Sequence, residues 1–224
     1  MKRVKTRSLL ILLIGGMAAL TSCSKDDGAR PSETFDIRQL EGHYLYVRQS
    51  NLDGSVPGFM LMEFMGGQIL KLSAVSEDRN IPYTIVNTNT IEILDSVRIV
   101  FERDSIWSTF ELLTEFALIK APESDQLAGK TFTGTYYHAD KSVLHQNFYY
   151  RFAAGGNTFD AGFNLGTVER TESYTPINPI AARATLDNGD TEFMIWVNGQ
   201  LKVNYKVYSP ESTWPDFHGF FTRQ

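Results

Sequence analysis

Residues 193–207 have the sequence FMIWVNGQLKVNYKV, which is the clearest indication of the fold class. Asn198 and Gly199 stand at its centre. Asn-Gly is the strongest short-range signal for a β-hairpin, because both central residues of a type I′ turn need positive φ. After the turn, apolar residues from Leu201 to Val207 alternate with polar ones, which is typical of a strand with one buried face. The stretch therefore predicts a tight antiparallel hairpin.

Short alternating segments separated by turn residues continue through the rest of the chain. The further predicted turns are Asp53-Gly54, Gly66-Gly67, Asn87–Asn89, Gly155-Gly156 and Asp187–Asp190. The further predicted strands are His43–Gln49, Gln68–Ser73, Tyr83–Val86, Ile91–Leu94, Val97–Glu102, Ile106–Leu113, Thr131–His138, Thr158–Phe163, Arg183–Leu186 and Phe217–Phe221. Trp107–Lys120 is also compatible with a helix. Short strands with frequent turns predict an all-β antiparallel fold, either a sandwich or a barrel.

Three short segments recur along the chain at a nearly constant offset of 87 to 89 residues. The matching segments are residues 40–42 and 127–129, residues 59–64 and 148–152, and the glycine pairs 66–67 and 155–156. Constant spacing of this kind indicates a tandem repeat. The alternative is a chance similarity between two amphipathic strands.

The repeated unit also resembles a known type of domain. A Leu-x-Gly start, an aromatic strand and an amphipathic strand closed by Gly-Gly are similar to the lipocalin-like domains of Bacteroidota lipoproteins. That family usually has Gly-x-Trp in the first strand, where this chain has Gly42-His43-Tyr44 and Gly129-Lys130-Thr131. The resemblance implies two small antiparallel barrels in tandem, in a first β repeat over residues 36–122 and a second over residues 123–224.

Residues 1–22 differ in composition from everything that follows. Four basic residues precede a run of 12 uncharged residues, Leu9–Leu20, and this is the composition of a signal peptide. A helix of that length reaches roughly 18 Å, against a hydrocarbon core of about 30 Å, so the run is too short to span a membrane comfortably.

The uncharged run closes in Leu20-Thr21-Ser22-Cys23, which resembles the lipobox of bacterial lipoproteins. Cys23 is the single cysteine of the chain and forms no internal disulfide. The resemblance implies cleavage before Cys23 and lipidation of its thiol. The alternative is a buried or idle thiol behind an ordinary secretory signal. Two or three acyl chains anchor a protein firmly, so no membrane-spanning helix is needed.

Residues 23–35 lack apolar periodicity and are interpreted as a lipidated tether. Lys25, Asp26 and Asp27 lie within it, and Ser24–Asp27 resembles the acidic signal that sends many Bacteroidota lipoproteins across the outer membrane. The resemblance implies a lipid-anchored outer-membrane protein exposed at the cell surface. The alternative is a charged tether without any export role.

The charge of the mature chain excludes one class of partner. Removal of residues 1–22 leaves 17 Lys and Arg against 26 Asp and Glu, a net charge of −9. Nucleic acid is not expected as a partner, since phosphate binding needs a basic face.

The sequence shows no motif that carries catalysis. It has neither a Gly-x-Ser-x-Gly turn nor a Gly-x-x-x-x-Gly-Lys loop, and a glycosidase pair cannot be identified among 26 acidic residues. His138 and His145 are seven residues apart and could meet between two strands, but neither they nor His43 and His218 have a recognised metal-ligand spacing. No enzyme activity, cofactor or metal is therefore predicted.

The three tryptophans are the candidates for contact with a ligand. Trp107 and Trp196 lie opposite the apolar faces of their predicted strands, so both faces are expected to be covered, by a ligand or by packing between the halves. Trp214 stands beside Asp216 in a loop-like segment. Its ring is suited to stack on a sugar or another flat apolar face, or instead to cap the end of a barrel.

These observations predict a membrane-anchored protein that binds a small apolar ligand or a glycan without catalysis. The alternative is an accessory or structural subunit of a cell-surface assembly, and a hydrolase is third. A cavity lined by apolar side chains would favour ligand binding, whereas filled cores would favour protein contacts.

Overall fold

Two antiparallel sheets, each nearly closed into a barrel, make up the computed structural model, which describes residues 36–209 and 215–224. The predicted all-β antiparallel fold is confirmed. The signal peptide, the tether with Cys23, Lys25, Asp26 and Asp27, and also Trp214 lie outside the described residues. The described part of the chain contains no helix that is long and apolar enough to cross a membrane.

The first barrel follows a short 3-10 helix, Ile37–Gln39. Its strands are β1 (His43–Gln49), β2 (Gly58–Met65), β3 (Ile69–Ser73), β4 (Asp78–Asn87), β5 (Thr90–Ile93), β6 (Val97–Phe101), β7 (Ile106–Ser108) and β8 (Leu113–Lys120). They are ordered β7-β6-β5-β4-β3-β2-β1-β8, so the chain runs up and down between sequence neighbours and β8 returns to pair with β1.

The second barrel has nine strands. They are β9 (Thr131–Tyr137), β10 (Val143–Phe152), β11 (Thr158–Gly162), β12 (Arg170–Ser173), β13 (Thr175–Asn178), β14 (Ala181–Thr185), β15 (Thr191–Val197), β16 (Gln200–Lys206) and β17 (Phe217–Arg223). Their order is β12-β11-β10-β9-β17-β16-β15-β14-β13, and the last strand, β17, pairs with the first, β9.

The predicted hairpin is confirmed at the residue level. Asn198 and Gly199 have φ values of 51° and 76°, and β15 pairs with β16 directly on either side of them. The recurring glycines also have the same backbone conformation, since Gly42 and Gly129 both have positive φ and lie one and two residues before the first strands of their barrels.

One predicted strand is wrong. Ile106–Leu113 is interrupted after Ser108, whose hydroxyl accepts a hydrogen bond from the N–H of Phe110 at 3.0 Å. The N–H of Leu113 then donates to the carbonyl of Phe110, so the chain turns before β8 begins. A serine side chain that bonds nearby backbone competes with the ladder of a sheet. The helix considered for Trp107–Lys120 is excluded, because β7 and β8 occupy that stretch.

Each barrel has its own aromatic and aliphatic core. Residues at alternate positions of β2 and β10 point into the two interiors, as the repeat predicts. The first core includes Leu45, Met60, Met62, Phe64, Leu70, Tyr83, Ile91, Ile99 and Phe101. The second includes Phe132, Tyr136, Phe148, Tyr150, Phe152, Phe159, Met194, Val203 and Phe221.

A third buried cluster joins the two barrels. Residues of β1 and β2 pack against residues of β15, and the members include Tyr44, Tyr46, Phe59, Leu61, Phe193, Ile195 and Val197. Both faces of β15 are therefore covered, as expected from its sequence. The polar face of β16 is buried as well, since Lys202 is 4% exposed and Asn204 is 0% exposed. The prediction of one buried face for this strand is wrong, because the first barrel covers the other.

Polar side chains of the second barrel tie it to backbone and side-chain groups of the first. The Asn204 amide accepts from the N–H of Phe59 at 2.5 Å and donates to the carbonyl of Pro57 at 3.0 Å. The ammonium of Lys202 pairs with the Glu115 carboxylate. These contacts compensate for burying polar groups and fix the two barrels against each other.

Candidate functional site

A cavity of about 270 Å³ opens at one end of the second barrel. Strands β10, β12, β15 and β17 begin at this end, whereas β9 and β16 finish there. The cavity is larger than the roughly 150 Å³ engineered cavity known to hold benzene. Its lining residues are Tyr136, Leu144, His145, Phe148, Arg170, Glu192, Tyr205, Val207 and Phe217.

The strand period places these side chains inside the barrel. Glu192, Met194 and Trp196 alternate along β15 and share the inward face. On β9, Tyr136 lies opposite Gly219 of β17, where an added Cβ would lie 2.5 Å from the ring of Phe221. Glycine at position 219 therefore leaves room for the aromatic rings beside the cavity.

Glu192 is the centre of a buried polar cluster. Its Oε1 accepts hydrogen bonds from Arg170 Nη2 at 2.6 Å and from the Tyr150 hydroxyl at 2.7 Å. The Tyr136 hydroxyl lies 3.2 Å from the same oxygen and closer to the Tyr150 hydroxyl, to which it donates its single proton. We call Tyr136, Tyr150, Arg170 and Glu192 the Glu192 cluster. Its bonds are charge-assisted and hold the carboxylate in one position.

Two buried atoms of the Glu192 cluster have no hydrogen-bond partner among the described residues. They are Oε2 of Glu192, a residue that is 0% exposed, and Nη1 of Arg170. The Glu172 carboxylate lies 3.8 Å from this nitrogen, beyond hydrogen-bond distance. Because a buried polar atom left unpaired costs about 1 to 3 kcal/mol, such atoms need an explanation. Both residues border the cavity.

The cluster has a defined state of ionisation. Burial raises the pKa of Tyr136 and of Tyr150 well above the ordinary value of 10, and the Glu192 charge adds to the effect. Burial alone would lower the pKa of Arg170, but the neighbouring Glu192 carboxylate raises it overall. The tyrosines are therefore neutral hydrogen-bond donors and Arg170 is a cation at any physiological pH.

A second carboxylate stands behind the cavity wall. Asp190 is 7% exposed and accepts hydrogen bonds from the Tyr205 hydroxyl, the N–H of Tyr208 and the amide of Asn188. Burial would raise the pKa of Asp190, but these hydrogen bonds lower it overall, beginning with the one from Tyr205. Asp190 therefore carries a charge and fixes the ring of Tyr205, which lines the cavity.

The outer part of the cavity is aromatic and apolar. The His145 ring lies 4.7 Å from that of Phe163, and burial lowers the pKa of His145. Phe163 and Val207 are 41% and 42% exposed at the open end. A ligand that enters therefore meets apolar side chains first and charged groups deeper inside.

Trp107 and Trp196, the two tryptophans among the described residues, lie outside the cavity. Trp107 is 44% exposed on the first barrel, where its Nε1 donates to Glu102 at 3.0 Å. Trp196 packs in the core of the second barrel, 5.2 Å from the Phe132 ring. Neither lines the cavity, and the structure does not bring these two together.

Sequence reasoning missed the residues of the Glu192 cluster. One signal was present, since Glu192 shares the face of Met194 and Trp196 in a strand apolar on both faces. Of the two histidines considered together, His145 lines the cavity, while the His138 ring packs edge-on against Phe217. Residues 36–209 and 215–224 contain no group of three or more His, Cys, Asp or Glu suited to a metal ion.

The cavity brings aromatic side chains, the Glu192–Arg170 ion pair and the Tyr205 side chain into one lining. No protein-family model, curated protein or solved structure matches the chain.

Proposed function

We propose that this protein is a lipid-anchored, non-catalytic binding protein of the outer membrane, which holds a small apolar ligand or a glycan in the cavity of its second barrel. The cavity carries the proposal, because it combines apolar walls with a few fixed polar groups, as ligand sites usually do. Its volume of about 270 Å³ suits a ligand of one or two rings.

The side chains of the cavity support binding rather than catalysis. Glu192 Oε1 is already occupied by hydrogen bonds from the Arg170 guanidinium and from the Tyr150 hydroxyl. The described lining contains no serine, threonine or cysteine that could act as a nucleophile. A turnover by this protein with a panel of ester and glycoside substrates would contradict the non-catalytic part of the proposal.

Anchoring is tested by fractionation of cells that express the full chain. The Cys23→Ser variant is expected to appear in the soluble fraction, while wild type remains with the outer membrane, because only the acyl chains hold the protein there. Digestion of intact cells with protease is expected to cleave wild type if Lys25, Asp26 and Asp27 direct it to the surface. Wild-type protein in the soluble fraction would contradict anchoring, and resistance to protease would contradict surface exposure.

Binding is tested with the neutral fluorescent probe N-phenyl-1-naphthylamine and with neutral methyl glycosides. Wild type is expected to bind at least one of them at a single saturable site. The Val207→Trp substitution places a large ring at the open end of the cavity and is expected to weaken that binding at least tenfold.

The matched control is Val86→Trp on β4 of the first barrel, because Val86 is 44% exposed and Val207 is 42% exposed. We expect wild-type binding from this control. Equal weakening in both variants, or no binding of any probe, would contradict the proposal. A partner that co-purifies in stoichiometric amounts from the native membrane would instead support a subunit of a surface assembly.

A further inference from the structure

We infer that a basic groove at the end of the second barrel opposite the cavity binds anionic phosphate headgroups of the membrane, so that the cavity opens away from that membrane. The inference rests on the lipid anchor of the proposed function and adds an orientation that an anchor alone does not give. Cys23 and Asp36 are 13 residues apart, so the extended tether spans up to about 45 Å. A tether of that length allows either end of a barrel to face the membrane.

Three neighbouring strands form the groove at this far end of the second barrel. β9 begins there at Thr131, β17 ends there at Arg223, and Arg151 of β10 pairs with Thr131. An open groove of about 430 Å³ lies between these strands and the loop that follows β11. The side chains of Lys130 and Leu165 line it together with the two arginines. We call this feature the basic groove.

The side chains of the basic groove carry an excess of positive charge. Lys130, Arg151 and Arg223 bring three cations, and the lining contains no acidic side chain. Asp160 neutralises one of them, since it pairs with Arg151 at 2.6 Å. Within residues 36–209 and 215–224, no carboxylate lies at ion-pair distance from Lys130 or Arg223, and the terminal carboxylate of Gln224 is included in that statement. Even with this carboxylate counted, the balance of the groove is positive.

This local charge differs in sign from that of the mature chain, which is −9. An anionic membrane surface therefore repels the protein as a whole but attracts the basic groove. Glu123 and Asp125, the acidic residues of the segment that joins the barrels, do not line the groove. Leu165, which is 58% exposed, adds an apolar side chain beside the cations. Cations next to an exposed apolar side chain are the combination that favours a membrane interface.

The tether joins the fold at the same end of the molecule as the basic groove. Asn204 lies near the mouth end of β16 and contacts Phe59, which pairs with position 48 of β1. Lys202 lies two residues farther from the mouth and contacts Tyr46 at 3.3 Å. β1 therefore runs toward the mouth and begins at the far end. Because Asp36 and the short 3-10 helix directly precede β1, the anchor also attaches there.

The loops at the mouth have the opposite charge balance. Four aspartates and two lysines are described in the loops that follow β9, β14 and β16, namely Asp140, Asp187, Asp190, Asp216, Lys141 and Lys206. An anionic surface repels this end, so attraction at the groove and repulsion at the mouth favour the same orientation. The cavity then opens to the surrounding medium, from which its ligand enters.

The experiment measures which end of the second barrel lies nearer to the membrane. The lipidated chain is inserted into vesicles, and Gly155→Cys or Gln146→Cys provides a single free thiol for a fluorescent dye, since Cys23 is the chain's own cysteine and is blocked by lipid. Position 155 lies in the turn after β10 at the far end, where an added Cβ meets open space, and position 146 is exposed near the mouth. Energy transfer from the dye to a headgroup-labelled lipid reports the distance.

We expect energy transfer from position 155 to exceed that from position 146 about twofold in vesicles of phosphatidylcholine and phosphatidylglycerol at a ratio of about 7:3. The difference is expected to disappear in pure phosphatidylcholine vesicles and in about 0.5 M sodium chloride, because salt screens the attraction. The double variant Lys130→Gln, Arg223→Gln is expected to abolish it as well. The matched control is Lys141→Gln, Lys206→Gln, which removes the same charge at the mouth and is expected to keep the wild-type difference.

Each contrary outcome has a distinct meaning. If wild type does not float with the vesicles, the anchor and the inference both fail. If wild type floats but positions 146 and 155 give equal transfer, or if both double variants lose the difference equally, the anchor stands and the orientation by the basic groove is overturned. If inorganic phosphate abolishes the difference while sodium chloride of equal ionic strength does not, the groove takes soluble phosphate, and a lipid headgroup as its ligand is overturned.

Discussion

Replacement of Arg170 by methionine is expected to lower the free energy of unfolding by about 3 to 5 kcal/mol. Methionine keeps much of the side-chain volume but removes the cation that pairs with Glu192 at 2.6 Å. Glu192 is 0% exposed, so its carboxylate would remain buried with only the neutral Tyr150 hydroxyl donating to it. Removing one partner of a buried pair is costly because the other charge stays desolvated. Urea denaturation at pH 7 measures the change.

Two further variants test whether the loss of stability comes from the buried Glu192 carboxylate or from replacing any arginine of this barrel. Arg151→Met removes an arginine that pairs with Asp160 at 2.6 Å but is 48% exposed, and it is expected to leave stability close to wild type. The double variant Arg170→Met, Glu192→Gln is expected to recover part of the loss, since a neutral amide is cheaper to bury than a carboxylate. Equal losses for Arg170→Met and Arg151→Met would show that burial of Glu192 is not the cause.

Acidification is expected to destabilise the junction between the two barrels through His218. This residue is 4% exposed, and its Nδ1 has no hydrogen-bond partner among the described residues. Burial lowers the pKa of His218 to about 4, with added effects from Arg48 and Lys141. The pKa of an unfolded histidine is about 6.5. The unfolded chain therefore takes up a proton first as the pH falls.

The sign of the effect follows from this order of protonation. Above about pH 6.5 His218 is neutral in the folded and the unfolded chain, so it does not change the free energy of unfolding with pH. Between about pH 6.5 and 4 the unfolded chain binds the proton more strongly, and the free energy of unfolding falls by about 2 to 3 kcal/mol at the lower limit. His218→Phe retains a ring at this position and is expected to lack this part of the pH dependence. Urea unfolding of wild type and variant at pH 7 and pH 4.5 measures it.

His138→Phe is the matched control for this experiment, because His138 is less buried than His218. It is expected to keep the wild-type pH dependence, which also contains contributions from carboxylates. A pH dependence in His218→Phe as steep as that of wild type would contradict a neutral buried His218.

The second barrel shows where sequence reasoning about the fold succeeded. Asn198-Gly199 and the alternation around it are local features, and local backbone preference was enough to predict the β15–β16 hairpin. The repeat could also be recognised in the sequence. Each barrel has a glycine before its first strand, inward apolar residues in its second strand and a Gly-Gly pair after that strand. Strands β12 and β13 were missed, since Arg170–Ser173 and Thr175–Asn178 are short and lack apolar alternation.

The candidate site was harder to predict from the sequence than the fold was. The tryptophans were the most visible aromatic residues, yet Trp107 lies on the first barrel and Trp196 belongs to a core. The cavity instead depends on Glu192 and Arg170, which are 22 residues apart in sequence and meet through the curvature of the sheet. A single sequence does not show which of its many charged residues the fold will bring into contact.

The all-β class, the hairpin at Asn198-Gly199 and the inward faces of the repeated strands could be predicted, because turn preference and two-residue alternation act over a few neighbours in the chain. The burial of Lys202 and Asn204 and the pairing of Glu192 with Arg170 beside an open cavity depend instead on how the strands pack in three dimensions. Burial of a strand's second face depends on what packs against it, and that partner is supplied by distant parts of the chain.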